Sequence, residues 1–164
     1  MRQTEFHGGP TTLSTLGHRW CAQSFRGRTA PWFRPRDIGN YEVVWSANHR
    51  EWLGELTEFY ELVWATTWEH SANESMAPIL GLPELPVIEF ERGSGDTWKL
   101  ESVRSFVTDR PFAWIDDDLF LDAFSWARNR DAPTLLLRTS SSVGMTLEHH
   151  EALLAFGKGL LGPD

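Results

Sequence analysis

Three consecutive carboxylates, Asp116, Asp117 and Asp118, stand where the apolar run 112–115 stops. Like charges this close repel, so each must be solvated, paired or bound to a cation. A hard cation such as Mg2+ takes oxygen ligands of this kind and keeps several waters. The other reading is a helix cap, with Asp117 and Asp118 facing the N-terminal dipole of a helix starting near Leu119. A cap needs one carboxylate, not three. Thr66 and Thr67 follow a second apolar run, 62–65. A hydroxyl and free backbone N–H groups at a strand end suit a phosphate oxygen, although threonine is also common at strand ends and helix N-caps. Lys99 opens a helix, where its charge opposes the dipole unless it answers another charge. Either it neutralises phosphate or carboxylates at the strand ends, or it is a solvated surface lysine.

Other chemistries lack their parts. His149 and His150 are adjacent and point to different sides of a helix, and His49 and His70 are isolated. No His-x-x-x-His, Cys-x-x-Cys, Walker phosphate loop or Gly-x-Ser-x-Gly occurs, which argues against zinc sites and serine-hydrolase chemistry. Residues 139–142 read as a polar turn.

The elements that position these groups alternate. Residues 41–45 form a β-like run. Asn48 offers a helix N-cap with Glu51 three residues on, the layout of a capping box. Trp52, Leu53, Leu56, Phe59 and Tyr60 share one helical face. Residues 62–65 read as a buried strand. A helix over 69–80 closes at Gly81 and Pro83. Residues 87–90 could be a strand, and 92–96 a loop. Leu100, Val103, Phe106 and Val107 mark a helix, 112–115 a buried strand and 119–130 a helix. A strand over 134–137 follows, then a helix over 147–156 capped by Thr146, with Gly157 beyond it. Strands alternating with helices predict an α/β fold: a doubly wound, mostly parallel sheet covered on both faces. In such sheets ligands bind beyond the carboxyl ends of the strands.

Size and charge bound the function. The chain has 164 residues and 18.8 kDa, enough for one domain with a real core. Its formal charge of -8 argues against a general nucleic-acid partner. The single cysteine, Cys21, excludes an internal disulfide and fits a reducing, cytoplasmic compartment. No apolar run reaches the roughly 18 residues of a membrane span, and no secretory signal is visible. Residues 1–40 lack apolar periodicity and are basic and rich in Gly and Pro. They read as an irregular arm that Trp20 and Trp32 could pin onto the domain formed by 41–164. Trp52, Trp64 and Trp114 read as core, while Trp68 and Trp98 flank the candidate site.

Taken in order, Thr66, Lys99 and the pair Asp116 and Asp117 resemble the second, third and fourth motifs of the haloacid dehalogenase-like (HAD) hydrolase superfamily. The wording is closest to small actinobacterial proteins of that group. The likeness is carried by residues 61–69 (ELVWATTWE), 72–73, 80–86 (LGLPELP), 98–99 and 110–118 (RPFAWIDDD), within a span of about 41–157. It implies a three-layer, Rossmannoid fold and Mg2+-dependent hydrolysis of a phosphorylated small molecule. Thr66, with Thr67, would bind the phosphoryl group, Lys99 would hold phosphate and nucleophile by charge, and Asp116 with Asp117 would ligate Mg2+. Phosphoryl transfer is mostly positioning and electrostatic stabilisation, which these roles fit.

The departure from the family is its first motif, an apolar strand ending in Asp-x-Asp whose first aspartate is the nucleophile. Residues 1–60 do not contain it: Asp37 is the sole aspartate before Asp96, and no apolar run precedes it. Two accounts fit, a chain that starts late and a protein that has lost the nucleophile. The second makes the domain a phosphatase-like but inactive scaffold, binding phosphate or metal without turnover, or another protein. The sheet would then lack its first central strand. Each buried backbone group left unpaired costs about 1–3 kcal/mol, so either 41–45 or part of the arm is expected to fill the gap.

Overall fold

Side chains alternate across a strand, and in this protein both sides are buried. Leu62, Trp64, Ala113 and Ile115 join one apolar cluster; Val63, Ala65, Phe112 and Trp114 join another. The computed structural model describes residues 11–15, 33–38, 41–91, 93–141 and 143–161. In chain order it contains β1 (Thr11–Thr15), β2 (Phe33–Ile38), β3 (Tyr41–Ser46), α1 (Ala47–Leu56), β4 (Tyr60–Trp64), α2 (Ser71–Ser75) and α3 (Ala77–Leu80). These are followed by α4 (Leu100–Val107), β5 (Phe112–Asp116), α5 (Leu121–Arg128), β6 (Thr134–Arg138) and α6 (Leu147–Leu161). The architecture is α/β. Four strands form a parallel sheet in the order β4-β1-β5-β6, and β2 pairs with β3 in a separate antiparallel ribbon. Residues of α1, α3 and α6 cover the face that carries Trp64, whereas α4 and α5 cover the face that carries Trp114.

Of the two segments expected to fill the central gap, part of the arm does so. Thr11–Thr15 occupies the middle of the sheet, pairing with β4 on one side and β5 on the other. Leu13 stands opposite both Leu62 and Ala113. A segment read as part of an irregular arm is therefore the central strand. Nor do residues 41–45 fill the centre. As β3 they pair with β2, from Phe33 opposite Ser46 to Ile38 opposite Tyr41. Two residues, Gly39 and Asn40, separate those strands in sequence. The proposed pinning by Trp20 and Trp32, like Cys21, lies outside the described residues.

Several boundaries move for identifiable reasons. The first helix is capped by Ser46, not Asn48. His49, three residues on, takes the part that Glu or Gln plays in a capping box: its Nδ1 accepts the Ser46 backbone N–H at 3.3 Å. With Nδ1 an acceptor, Nε2 carries the proton and donates to the Met145 carbonyl at 3.1 Å. Thr146 and His149 repeat the device before α6, the Thr146 N–H meeting His149 Nδ1 at 3.1 Å. The helical stretch 69–80 is two short helices, closed as expected at Gly81 in the left-handed conformation (φ 69°). Residues 87–90 add one bridge, Val87 beside Trp64, to the sheet edge. Gly157 does not lie beyond α6 but inside it, where the helix crosses the start of β4. A Cβ there would stand 2.8 Å from Cβ of Phe59.

Two outcomes follow from this framework. Proline at Leu13 would remove a ladder donor from the central strand, so Leu13→Pro should lower stability by about 1–3 kcal/mol, the cost of a buried group left unpaired; an unchanged urea midpoint would show that the sheet closes without β1. Burial lowers the His49 imidazole below its ordinary value, against the raising effect of the Met145 carbonyl. The neutral ring is the folded form, so its contribution is complete above a pH of about 6.5 and is lost as pH falls through the lowered value. Urea unfolding at stepped pH should accordingly show wild type losing more stability than His49→Gln on acidification.

Candidate functional site

Strand alternation places Asp116 on the same face as Phe112 and Trp114, the face covered by α4. Lys99 is the residue from which α4 starts. The two meet: Lys99 Nζ donates to Asp116 Oδ2 at 2.7 Å, with both side chains wholly excluded from solvent. Trp114 Nε1 donates to the same oxygen at 3.3 Å, and the Asp118 backbone N–H donates to Asp116 Oδ1 at 2.9 Å. The ammonium lies 5.7 Å from the Trp98 ring centre and 6.0 Å from that of Phe90, within cation–π reach. A lysine at a helix start opposes the dipole by about 0.3–1 kcal/mol. Loss of one partner of a buried ion pair costs about 3–5 kcal/mol, so the pair decides the placement. Lys99 is not a solvated surface lysine.

The loop before α4 is built to hold this lysine. Asp122, in the first turn of α5, accepts the Thr97 backbone N–H at 2.9 Å and the Thr97 hydroxyl at 2.6 Å. Thr97 Oγ1 in turn accepts the Phe120 N–H at 2.9 Å. Desolvation is the largest single influence on the Asp122 carboxyl and raises it, but its bonds to Thr97 and to the Ala123 N–H together hold it below the usual carboxylate range. A Cβ on Gly93 would run into the Trp98 carbonyl, so the loop closes that tightly only with glycine. Thr97 and Asp122 were not among the residues the sequence singled out. Their signal is a buried threonine two residues before a buried lysine, which only the fold reveals.

The remaining candidates fare differently. Thr66 is buried two residues past the end of β4, at the same carboxyl edge of the sheet as Asp116. With β1 between them, β4 and β5 run roughly 9–10 Å apart. The Thr66 hydroxyl accepts the Trp68 N–H at 3.3 Å and its carbonyl accepts the Glu69 N–H at 2.9 Å, closing its own turn. No hydrogen bond joins it to Lys99 or Asp116. Thr67 is half-buried in that turn. Asp117 is also half-buried, and its carboxyl is raised above the ordinary value by burial and then by the charges of Asp116 and Asp118, with Lys99 lowering it. The cap reading of Asp117 and Asp118 is not what the chain does: α5 begins at Leu121, after Phe120, with Asp122 in its first turn. Trp64 and Trp114 are fully buried and Trp52 packs against the core, as expected. Trp98 forms a wall beside Lys99, and Trp68 packs against the cluster on the opposite face.

The donor set around Asp116 does not suit Mg2+. Both carboxylate oxygens already accept hydrogen bonds, and among the described residues no group of three His, Cys, Asp or Glu side chains could hold a metal ion. Among them, too, no helix is long and apolar enough to cross a membrane. Compared with protein families, with curated proteins and with solved structures, the chain finds no match.

The pair makes a sharp prediction. Lys99→Met should lower stability by about 3–5 kcal/mol, because it leaves a carboxylate buried without its cation. The double variant Lys99→Met with Asp116→Leu should recover most of that loss. Chemical unfolding of the three proteins measures both; equal losses in the single and double variants would mean that packing, not charge, holds this edge.

Proposed function

We propose that this chain is a HAD-like, three-layer, doubly wound domain that keeps the scaffold of a phosphohydrolase without its chemistry, and acts as a non-catalytic binding module. The observation that carries the reading is the central strand. In the family the strand between those ending in threonine and in aspartate bears the nucleophile. Here the strand between β4 and β5 is Thr11–Thr15, and Leu16, Gly17 and His18 follow it in sequence. None of these residues is a carboxylate, so no group of the right type is supplied there to form an aspartyl-phosphate. The strand order β4-β1-β5-β6 and the carboxyl-edge positions of Thr66 and Asp116 support the likeness of scaffold. The closed Lys99–Asp116 pair supports the loss of function, because the two charged groups that would act on phosphate and metal are spent on each other.

The competing reading is a Mg2+-dependent phosphomonoesterase using Thr66, Thr67, Lys99, Asp116 and Asp117. Its support is the same convergence of strand ends. An assay on p-nitrophenyl phosphate and a panel of phosphorylated small molecules with Mg2+ separates the two. Rates for wild type are expected to equal those of Asp116→Asn and of buffer alone. Mg2+-dependent turnover that Asp116→Asn abolishes would establish the enzyme instead.

A further inference from the structure

We infer that Lys99 is the resident cation of this sheet edge: its ammonium fills, beside Asp116, the charge-neutralising place that a divalent metal would otherwise take. The inference rests on the non-catalytic reading and extends it to what the edge can bind.

Charge and room both point this way. Asp116 is the one carboxylate of its triplet that is fully enclosed, and Lys99 is equally enclosed against it. The ammonium cancels the charge of Asp116, so a dication entering beside this carboxylate would find its charge already answered and would be repelled by the ammonium. The carboxylate oxygens are engaged as well. Mg2+ demands near-octahedral oxygen ligands at about 2.0–2.1 Å and keeps several waters. Asp116 instead gives one oxygen to Lys99 and Trp114 and the other to the Asp118 backbone. The choice of side chain fits the task. Apart from Lys158, the other basic residues of this chain are arginines. An ammonium is a compact point charge that satisfies a single carboxylate oxygen, whereas a guanidinium presents a planar fork. Thr97 and Asp122 then lock the loop from which Lys99 projects.

Thermal unfolding of the full chain in EDTA and in Mg2+ tests the assignment. At about 10 mM Mg2+, wild type should shift by less than about 1 °C, while Lys99→Ala, which deletes the ammonium and opens space beside Asp116, should gain about 3 °C or more. Lys99→Ala combined with Asp116→Asn should gain nothing. A wild-type shift as large as that of the variant, or a folded Lys99→Ala without one, overturns the inference. Should that variant fail to fold, Mn2+ titration of wild type followed by electron paramagnetic resonance decides: an undiminished free-ion signal supports the resident cation, and stoichiometric uptake lost in Asp116→Asn refutes it. Metal uptake without phosphatase turnover would sink this assignment and leave the non-catalytic reading standing. Metal-independent turnover would do the reverse.

Discussion

A buried ammonium 2.7 Å from a buried carboxylate is the constraint around which this edge of the protein is arranged. Such a pair is tolerated only when desolvation is offset by close geometry and by further hydrogen bonds to the remaining lone pairs. Every neighbouring feature serves that requirement. Trp114 and the Asp118 backbone fill the other acceptor sites of Asp116. Phe90 and Trp98 present aromatic rings to Lys99. The Thr97–Asp122 bonds fasten the start of α4 to the first turn of α5, so the lysine cannot swing away without breaking two more contacts.

The pair also depends on the central strand. Asp116 ends β5, and β5 is held in register on one side by β6, where Asp116 stands opposite Arg138, and on the other by β1. Without β1, β5 would lose backbone partners over Phe112–Ile115, in the stretch that aims Asp116 at α4. Arg138 reinforces the same corner, its Nε donating to the Asp117 carbonyl at 3.3 Å and its guanidinium lying 4.9 Å from the Phe120 ring centre. Sheet order and ion pair are thus one construction: a short strand from the beginning of the chain sets the strand end from which the carboxylate reaches its lysine.

How legible this was in the sequence varied with the physics of each element. The strands 62–65 and 112–115 were visible because parallel strands buried on both faces read as continuous apolar runs. The helix after Lys99 showed its apolar spacing, and the candidate residues Lys99 and Asp116 were identified from charge and position. Thr11–Thr15 was not visible. Thr, Thr, Leu, Ser and Thr contain one large apolar residue, so the segment shows no apolar run, and its place comes to light only in the backbone pairing on its two sides. The caps at Ser46 and Thr146 differ in a similar way: the rule for a capping box expects a carboxylate or amide three residues on, and in both places an imidazole nitrogen accepts the bond instead. Thr97 and Asp122 left no local signal, since their bond spans twenty-five positions and arises only when α4 and α5 pack on one face.

What separates a catalytic edge from a structural one is whether its polar groups still have something to give. A phosphate or a metal must find open donors and lone pairs, held in place yet unspent, because preorganised groups act by meeting charge that arrives with the substrate. Here the Thr66 hydroxyl accepts within its own turn, the Lys99 ammonium answers Asp116, and Asp116 accepts from three donors. Asp117 retains a half-exposed carboxyl, raised above the ordinary carboxylate value by burial first and then by the charges of Asp116 and Asp118. The residue types of a phosphoryl-transfer site are therefore present, and the two that carry opposite charge, Lys99 and Asp116, already face each other. On this argument the Lys99–Asp116 charge pair, which first suggests chemistry, also fastens α4 to the end of β5.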